Sequence, residues 1–132
     1  MRRGDPVVEV FLEETAERLD SIEAGLLKLE QCDGACDAEA VNAIFRDAHS
    51  VKAGSNLLKL NNIEKLSHKL ENVLEMIRKG RIGPTETVIT ACLEAVDKLR
   101  DLRERIEHSD AVSIRLHTAM LEAALREARK GD

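Results

Sequence analysis

The sequence contains no Trp and no Tyr, and aromatic side chains make up only 2% of its 132 residues. A β-sandwich core, a stacking surface for single-stranded nucleic acid and an aromatic cofactor cage all need more aromatic side chains. The chain also lacks a net positive charge, because its 25 Asp and Glu residues outnumber its 20 Lys and Arg residues and the formal net charge is -5 at pH 7. DNA binding depends on neutralising phosphate charge, which an acidic protein does poorly. A helix that spans a bilayer needs roughly 20 consecutive apolar residues, and the sequence contains no such run. We therefore expect no nucleic-acid partner and no membrane partner.

Cysteine is the next scarce residue, and the three cysteines cannot all pair within one chain. Cys92 lies on an apolar helical stripe, which is typical of a small core residue. Cys32 and Cys36 form a C-x-x-x-C pair that suggests a metal or redox site, but no second Cys or His pair stands at ligand spacing. We expect no metal and no cofactor in this chain. The N-terminal segment lacks the features of a signal peptide, which predicts a cytoplasmic protein.

Apolar residues recur every three or four positions along the whole chain, and this spacing predicts an all-α protein. Breaks in the pattern divide it into five helical segments with short connections, which favours antiparallel neighbours. We predict a single domain over residues 1–132. It consists of an up-and-down four-helix bundle over residues 1–108 and an additional C-terminal helix over residues 109–130.

The ends of these helices carry recognisable signals. Pro6 is suited to a first helical turn, and Gly80 after a basic turn predicts the end of the third helix. We predict that Asp5 is the N-cap of the first helix and that Asn61 or Asn62 is the N-cap of the third. For the last helix the candidates are Ser109 and Asp110.

His49 lies about 120° from the centre of the apolar stripe of its helix, on the solvent side. Lys52 follows one turn later. Ala53 and Gly54 are small residues, so another protein can approach the surface beside His49 closely. A small neighbour, a nearby cation and an exposed imidazole suit a nucleophile that enters the active site of another protein. The alternative is an ordinary surface histidine.

The run AHSVKAGSNLLKL resembles the signature of histidine-containing phosphotransfer (HPt) domains. The continuation IEKLSHKLENVLEMIRKGRI is similar to the third helix of the first domain of chemotaxis histidine kinases. The further helix after the bundle favours that kinase domain over a stand-alone HPt protein. The resemblance implies that His49 is phosphorylated and that Lys52 lies near the phosphoryl group. It also implies that Glu71 hydrogen-bonds the imidazole and that His68 is a second histidine close by.

The resemblance also implies the partners. His49 would accept a phosphoryl group from the ATP-binding domain of a histidine kinase and pass it to an aspartate of a response regulator receiver, which brings its own Mg²⁺. The sequence has no Walker-type loop and no glycine-rich nucleotide pocket, so ATP must bind elsewhere. An unperturbed imidazole is mostly neutral at pH 7, so one ring nitrogen keeps its lone pair for this chemistry.

We predict that the receiver docks on the second helix around His49. The docking residues lie within about 100° of His49 on the helical wheel, and they are Ser50, Ala53, Asn56 and Leu57. The family usually has glycine where Ala53, Asn56 and Lys59 stand here, and these departures bear on partner choice.

Three other interpretations remain open: a stand-alone HPt relay protein, a non-catalytic helical adaptor bundle, and a metal- or haem-binding bundle. The last would need inward-facing His or Glu pairs. The four histidines instead fall outside the main apolar stripes or near helix ends, and they are His49, His68, His108 and His117. Incubation with a kinase catalytic domain and labelled ATP separates the relay from the others, because only the relay gains acid-labile, base-stable phosphate.

Overall fold

The computed structural model describes residues 2–32 and 37–130, and the regular structure within these ranges is helical. The helices are α1 (Pro6–Glu30), α2 (Ala38–Leu57), α3 (Asn61–Arg78), α4 (Glu86–Glu104) and α5 (Arg115–Lys130), with a short 3₁₀ helix (Ile106–Ala111) between α4 and α5. Each of the described helices is too short or too polar to span a lipid bilayer.

The first four helices pack in a ring around one core. Helix α1 contacts α2 and α4, helix α3 contacts the same two, and α5 packs outside the ring against α3 and α4. This arrangement confirms the predicted four-helix bundle with an additional C-terminal helix. Large side chains that are almost fully buried fill the core, among them Leu19, Ile22, Leu26, Ile44, Leu66, Leu70, Leu74, Ile89, Leu99 and Leu102. Each contributes about 1.5–3 kcal/mol by leaving water. The division into residues 1–108 and 109–130 within one domain stays a prediction.

Two helix ends agree with the sequence signals. The carboxylate of Asp5 accepts a hydrogen bond from the backbone N–H of Val7 at 2.9 Å, and Pro6 occupies the first turn of α1. Helix α3 ends at Arg78, and Gly80 follows in the left-handed region at φ 73°. Glycine reaches that region without steric cost, which explains its place after the helix.

The predicted cap of α3 is wrong. Leu60 occupies the N-cap position and makes no side-chain cap. The carboxylate of Asp110 instead accepts hydrogen bonds from the backbone N–H of Asn62 at 2.9 Å and from the side chain of Asn61 at 3.1 Å. A first-turn N–H of α3 is therefore satisfied from the 3₁₀ helix, 48 residues along the chain.

The predicted caps of the last helix are also wrong. Ser109 is buried and donates a hydrogen bond to the carbonyl of Ile106, while Asp110 is engaged with α3. At the start of α5 the hydroxyl of Ser113 accepts a hydrogen bond from the backbone N–H of Arg115 at 3.3 Å. The last helix begins later than expected because the 3₁₀ helix occupies the segment before it.

The structure describes two of the three cysteines, Cys32 and Cys92. Cys92 is fully buried, as predicted, and burial raises the pKa of its thiol to about 12. Cys32 is half-buried, but Cys36 lies outside the described residues, so the C-x-x-x-C hypothesis stays open. Within residues 2–32 and 37–130, no group of three or more His, Cys, Asp and Glu side chains is placed to hold a metal ion.

Candidate functional site

The candidate site lies between α2, which carries His49 and Lys52, and α3, which carries Glu71. The chain reverses between these helices over a very short link. In that link Lys59 is in the left-handed region at φ 59°, and the backbone N–H of Leu60 bonds back to the carbonyl of Ser55 at 2.8 Å. The tight reversal makes the helices antiparallel neighbours and sets Glu71 opposite the second half of α2.

One carboxylate joins the two α2 side chains. Nδ1 of His49 lies 2.5 Å from Oε2 of Glu71, and Nζ of Lys52 donates to Oε1 of the same residue at 2.8 Å. We assign the proton to Nδ1, because an ionised carboxylate only accepts hydrogen bonds. Nε2 then keeps its lone pair. The His49 side chain is 57% exposed whereas that of Glu71 is 9% exposed, so a buried anion orients an accessible imidazole.

The local electrostatics keep Glu71 ionised. Burial acts to raise the pKa of Glu71, but the hydrogen bonds from Lys52 and His49 outweigh it, and the pKa lies below its ordinary value. At neutral pH the carboxylate therefore accepts from both partners. Its negative charge would also stabilise positive charge on the His49 ring in a reaction in which Nε2 is the nucleophile.

The sequence interpretation missed a second set of contacts around His49. The rings of Phe45 and His49 are stacked, with centroids 6.4 Å apart and planes 19° from parallel. The guanidinium carbon of Arg78 lies 4.7 Å from the centroid of the Phe45 ring. In the sequence, Phe45 follows the apolar periodicity of α2, which indicates only a core position. Its i, i+4 spacing from His49 was the available signal, because side chains at that spacing meet on a helix.

His68 stands apart from these contacts. It is exposed and lines a groove of about 540 Å³ between the start of α3 and the segment before α5, together with Lys65, Lys69 and Asp110. Within the described part of the chain, no hydrogen bond or ion pair joins His68 to His49 or Glu71. Its role as a nearby second histidine stays a prediction.

The predicted docking residues lie on the surface of α2. Ala53, Asn56 and Leu57 are exposed, and Ser50 is half-buried. Leu57 is 80% exposed at the last position of the helix. A large apolar side chain in this position is available to a partner, although exposure by itself does not identify one. The docking role of these four residues stays a prediction.

Comparison with known protein families decides the assignment. The family model described as Hpt domain matches residues 6–108. The chain belongs to the Hpt domain family. This membership confirms the resemblance found in the sequence. Among curated relatives, chemotaxis protein CheA of Rhizobium meliloti is 38% identical over 96 residues, which cover 73% of this chain and 12% of that protein.

Two further relatives extend the match. Chemotaxis protein CheA of Listeria monocytogenes is 30% identical over 128 residues, covering 96% of this chain and 20% of that protein. A crystal structure of the phosphorylated P1 domain of CheA3 in complex with CheY6 from R. sphaeroides superposes with a TM-score of 0.80 at 25% identity. The superposition covers 94% of this chain and 98% of the CheA3 P1 chain. This Hpt domain therefore spans a fifth or less of the length of these curated relatives.

Proposed function

We propose that this chain is the phosphoryl-carrying domain of a chemotaxis histidine kinase. His49 accepts a phosphoryl group from an ATP-binding kinase domain and passes it to an aspartate of a response regulator receiver. The observation that carries the proposal is the contact of 2.5 Å between Nδ1 of His49 and Oε2 of Glu71, which leaves the lone pair on Nε2 of a side chain that is 57% exposed. Membership of the Hpt family and the CheA relatives support it.

The first step is nucleophilic attack by Nε2 of His49 on the γ-phosphorus of ATP. The Nε2–P bond forms while the bond from that phosphorus to the β,γ-bridging oxygen breaks, and ADP leaves with the bonding electrons. The proton on Nδ1 stays in its hydrogen bond to Glu71, whose charge compensates the cationic ring. Phosphoryl transfer needs mainly positioning and electrostatic stabilisation, and the site offers both.

Lys52 supplies a cation beside His49 through its contact with the shared carboxylate. Its ammonium has three donors, and Glu71 uses one of them at 2.8 Å. The Lys52 side chain is 23% exposed, so its remaining donors can face phosphoryl oxygens on His49. Lys52 therefore screens the transferred group while its bond to Glu71 fixes its position.

The second step returns the imidazole to its starting state. A carboxylate oxygen of the receiver attacks the phosphorus, the Nε2–P bond breaks, and the electron pair returns to Nε2. Both the receiver aspartate and its metal ion come from the partner. The related P1 domain of CheA3 was crystallised with CheY6, which supports a receiver as the partner of this chain. Because the donor is ATP, the proposal places the domain in the cytoplasm.

A labelling experiment tests the proposal. The chain is incubated with the ATP-binding domain of a CheA relative and γ-labelled ATP. We expect acid-labile, base-stable label on the wild type and on the exposed control variant His108→Gln, and none on His49→Gln. His49 is exposed, so His49→Gln should leave the bundle folded, although it removes a hydrogen bond to the buried Glu71 carboxylate that contributes about 1 kcal/mol to the free energy of unfolding. A receiver with Mg²⁺ should then remove the label.

Other outcomes would contradict the proposal. Label retained by His49→Gln moves the phosphorylated site elsewhere, with His68 as the first residue to test. A wild type that gains no label favours the adaptor bundle instead. A stand-alone relay protein would behave like the wild type in this assay, and the coding sequence downstream of residue 132 distinguishes it from a kinase domain.

A further inference from the structure

One hydrogen bond orients the His49 ring only in part. The contact with Glu71 restrains the distance between Nδ1 and Oε2, but the side chain has two rotatable bonds, so the ring can still swing while that distance is kept. The side chain is 57% exposed, so little of the protein surrounds it. A second contact is needed to set the plane of the ring and therefore the direction of the Nε2 lone pair.

Phe45 provides such a contact. Its ring is 19° from parallel to the His49 ring at a centroid distance of 6.4 Å, within the range of roughly 4.5–7 Å for offset aromatic pairs. The two residues are one helical turn apart on α2, so the helix itself sets their spacing. The Phe45 ring limits how far the imidazole can turn.

The end of α3 holds the Phe45 ring in place. The guanidinium carbon of Arg78 lies 4.7 Å from the ring centroid. Arg78 is fixed in turn by two hydrogen bonds to the carboxylate of Glu75, at 2.8 and 2.7 Å. Lys79 also contacts Glu75, at 3.4 Å, but does not stack on the ring. Contacts from α3 thus reach His49 from two directions, through Glu71 and through Arg78 and Phe45.

We propose that Phe45 is a positioning residue for phosphoryl transfer, which sets the plane of the His49 imidazole, and that Arg78 acts through Phe45. This inference rests on the proposed function, because it concerns the same transfer. A misplacement of about 1 Å at a reacting centre can cost roughly 10²-fold in rate. Since Glu71 still holds Nδ1 when Phe45 is replaced, a loss of about tenfold is expected.

The two phenylalanines of the chain offer a matched comparison. Phe11 is 8% exposed and packs beside Gly54, whereas Phe45 is half-buried and stacks on His49. Phosphorylation is measured with phosphoramidate, from which Nε2 displaces ammonia, and with the kinase domain. We expect Phe45→Leu to lower the maximal rate about tenfold with both donors and to leave the KM for the kinase domain unchanged. Phe45→Tyr should restore the rate, and Phe11→Leu should keep it.

A double-mutant cycle tests whether Arg78 acts through Phe45. We expect Arg78→Ala to slow phosphorylation several-fold in the wild type and to have no further effect in Phe45→Leu. Lys79→Ala removes a neighbouring charge that also contacts Glu75, and it should leave the rate unchanged. Equal effects of Arg78→Ala in both backgrounds would show that Arg78 acts independently of Phe45 and would overturn this part of the proposal.

Nitrogen and carbon NMR of the unphosphorylated His49 ring separates this inference from the proposed function. We expect a single ring orientation with the proton on Nδ1 in the wild type, and increased ring mobility in Phe45→Leu but not in Phe11→Leu. If no variant accepts phosphate, the proposed function fails while the ring measurement still decides whether Phe45 orients His49. Unchanged ring mobility in Phe45→Leu, or equal slowing by Phe45→Leu and Phe11→Leu, would overturn the inference.

Discussion

The imidazole of His49 and the carboxylate of Glu71 meet across the α2–α3 interface at 2.5 Å, although one side chain is exposed and the other is buried. The pairing gives an exposed imidazole a fixed proton position. Glu71 is placed opposite His49 by the packing of α3 against α2, so the orientation of the imidazole depends on the packing of the bundle. This dependence links the helical core to the proposed chemistry.

Replacing Glu71 is expected to slow phosphoryl acceptance without unfolding the bundle. Glu71→Ala removes the group that holds the proton on Nδ1 and balances the cationic ring, and orienting groups of this kind typically contribute about 10²–10⁴-fold. The measurement is the rate of phosphorylation by the kinase domain, with helicity followed by circular dichroism. Glu64→Ala, on the same helix two turns earlier, serves as the control. An unchanged rate in Glu71→Ala would mean that the carboxylate does not assist the transfer.

The contribution of Glu71 to stability should depend on pH. Its pKa in the folded protein lies below the ordinary value of 4.5, so its stabilising contribution is fully present above about pH 4.5 and is lost as the pH falls through the lower folded pKa. We expect the difference in free energy of unfolding between the wild type and Glu71→Gln to shrink over that acidic range. Urea titrations at several pH values measure it.

The titratable partners of Glu71 provide the control. They are His49 and Lys52, and the His49→Gln background leaves only Lys52 in contact with the carboxylate. In the His49→Gln background, Glu71→Gln should change the free energy of unfolding by a smaller amount and with the same sign. A difference between wild type and Glu71→Gln that grows as the pH falls would contradict the lowered pKa.

Lys59 is a residue in a conformation that suits glycine. Its φ is 59°, and a side chain in the left-handed region costs about 1–2 kcal/mol. We expect Lys59→Gly to raise the free energy of unfolding by about 1 kcal/mol, measured by urea titration. Lys65→Gly, at an exposed position inside α3, should lower it by a similar amount. Equal destabilisation by both substitutions would show that Lys59 is not strained in the link.

Much of the bundle could be predicted because helical periodicity is a local property of the sequence. The spacing of Ile22, Leu26 and Leu70 indicates their burial, and the helical wheel puts His49 on the solvent side of α2. The pairing of Glu71 with His49 was inferred from the family resemblance instead. Periodicity identifies which face of a helix is buried, but not which residue on another helix lies opposite.

The features that the sequence did not reveal depend on contacts between distant residues. Asp110 caps α3 from 48 residues away, so no local signal marks it. A Cβ on Gly25 would clash with the side chain of Ile44, which shows that α1 and α2 approach closely at this glycine. The contact between Arg78 and Phe45 requires the end of α3 to lie beside α2. Each of these contacts follows from the packed arrangement of whole helices.

A large side chain at Ala53 should separate docking of the receiver from the chemistry of His49. Ala53 is exposed one turn after His49 on α2, beside the exposed Leu57. Ala53→Trp should therefore obstruct transfer to the receiver by steric clash, while phosphorylation of His49 by phosphoramidate changes much less. The measurement is the rate of label loss from the phosphorylated domain after a receiver with Mg²⁺ is added. Ala119→Trp, at an exposed position on α5, is the matched control and should transfer at the wild-type rate. If Ala53→Trp also transfers at that rate, the receiver approaches His49 from another side of α2.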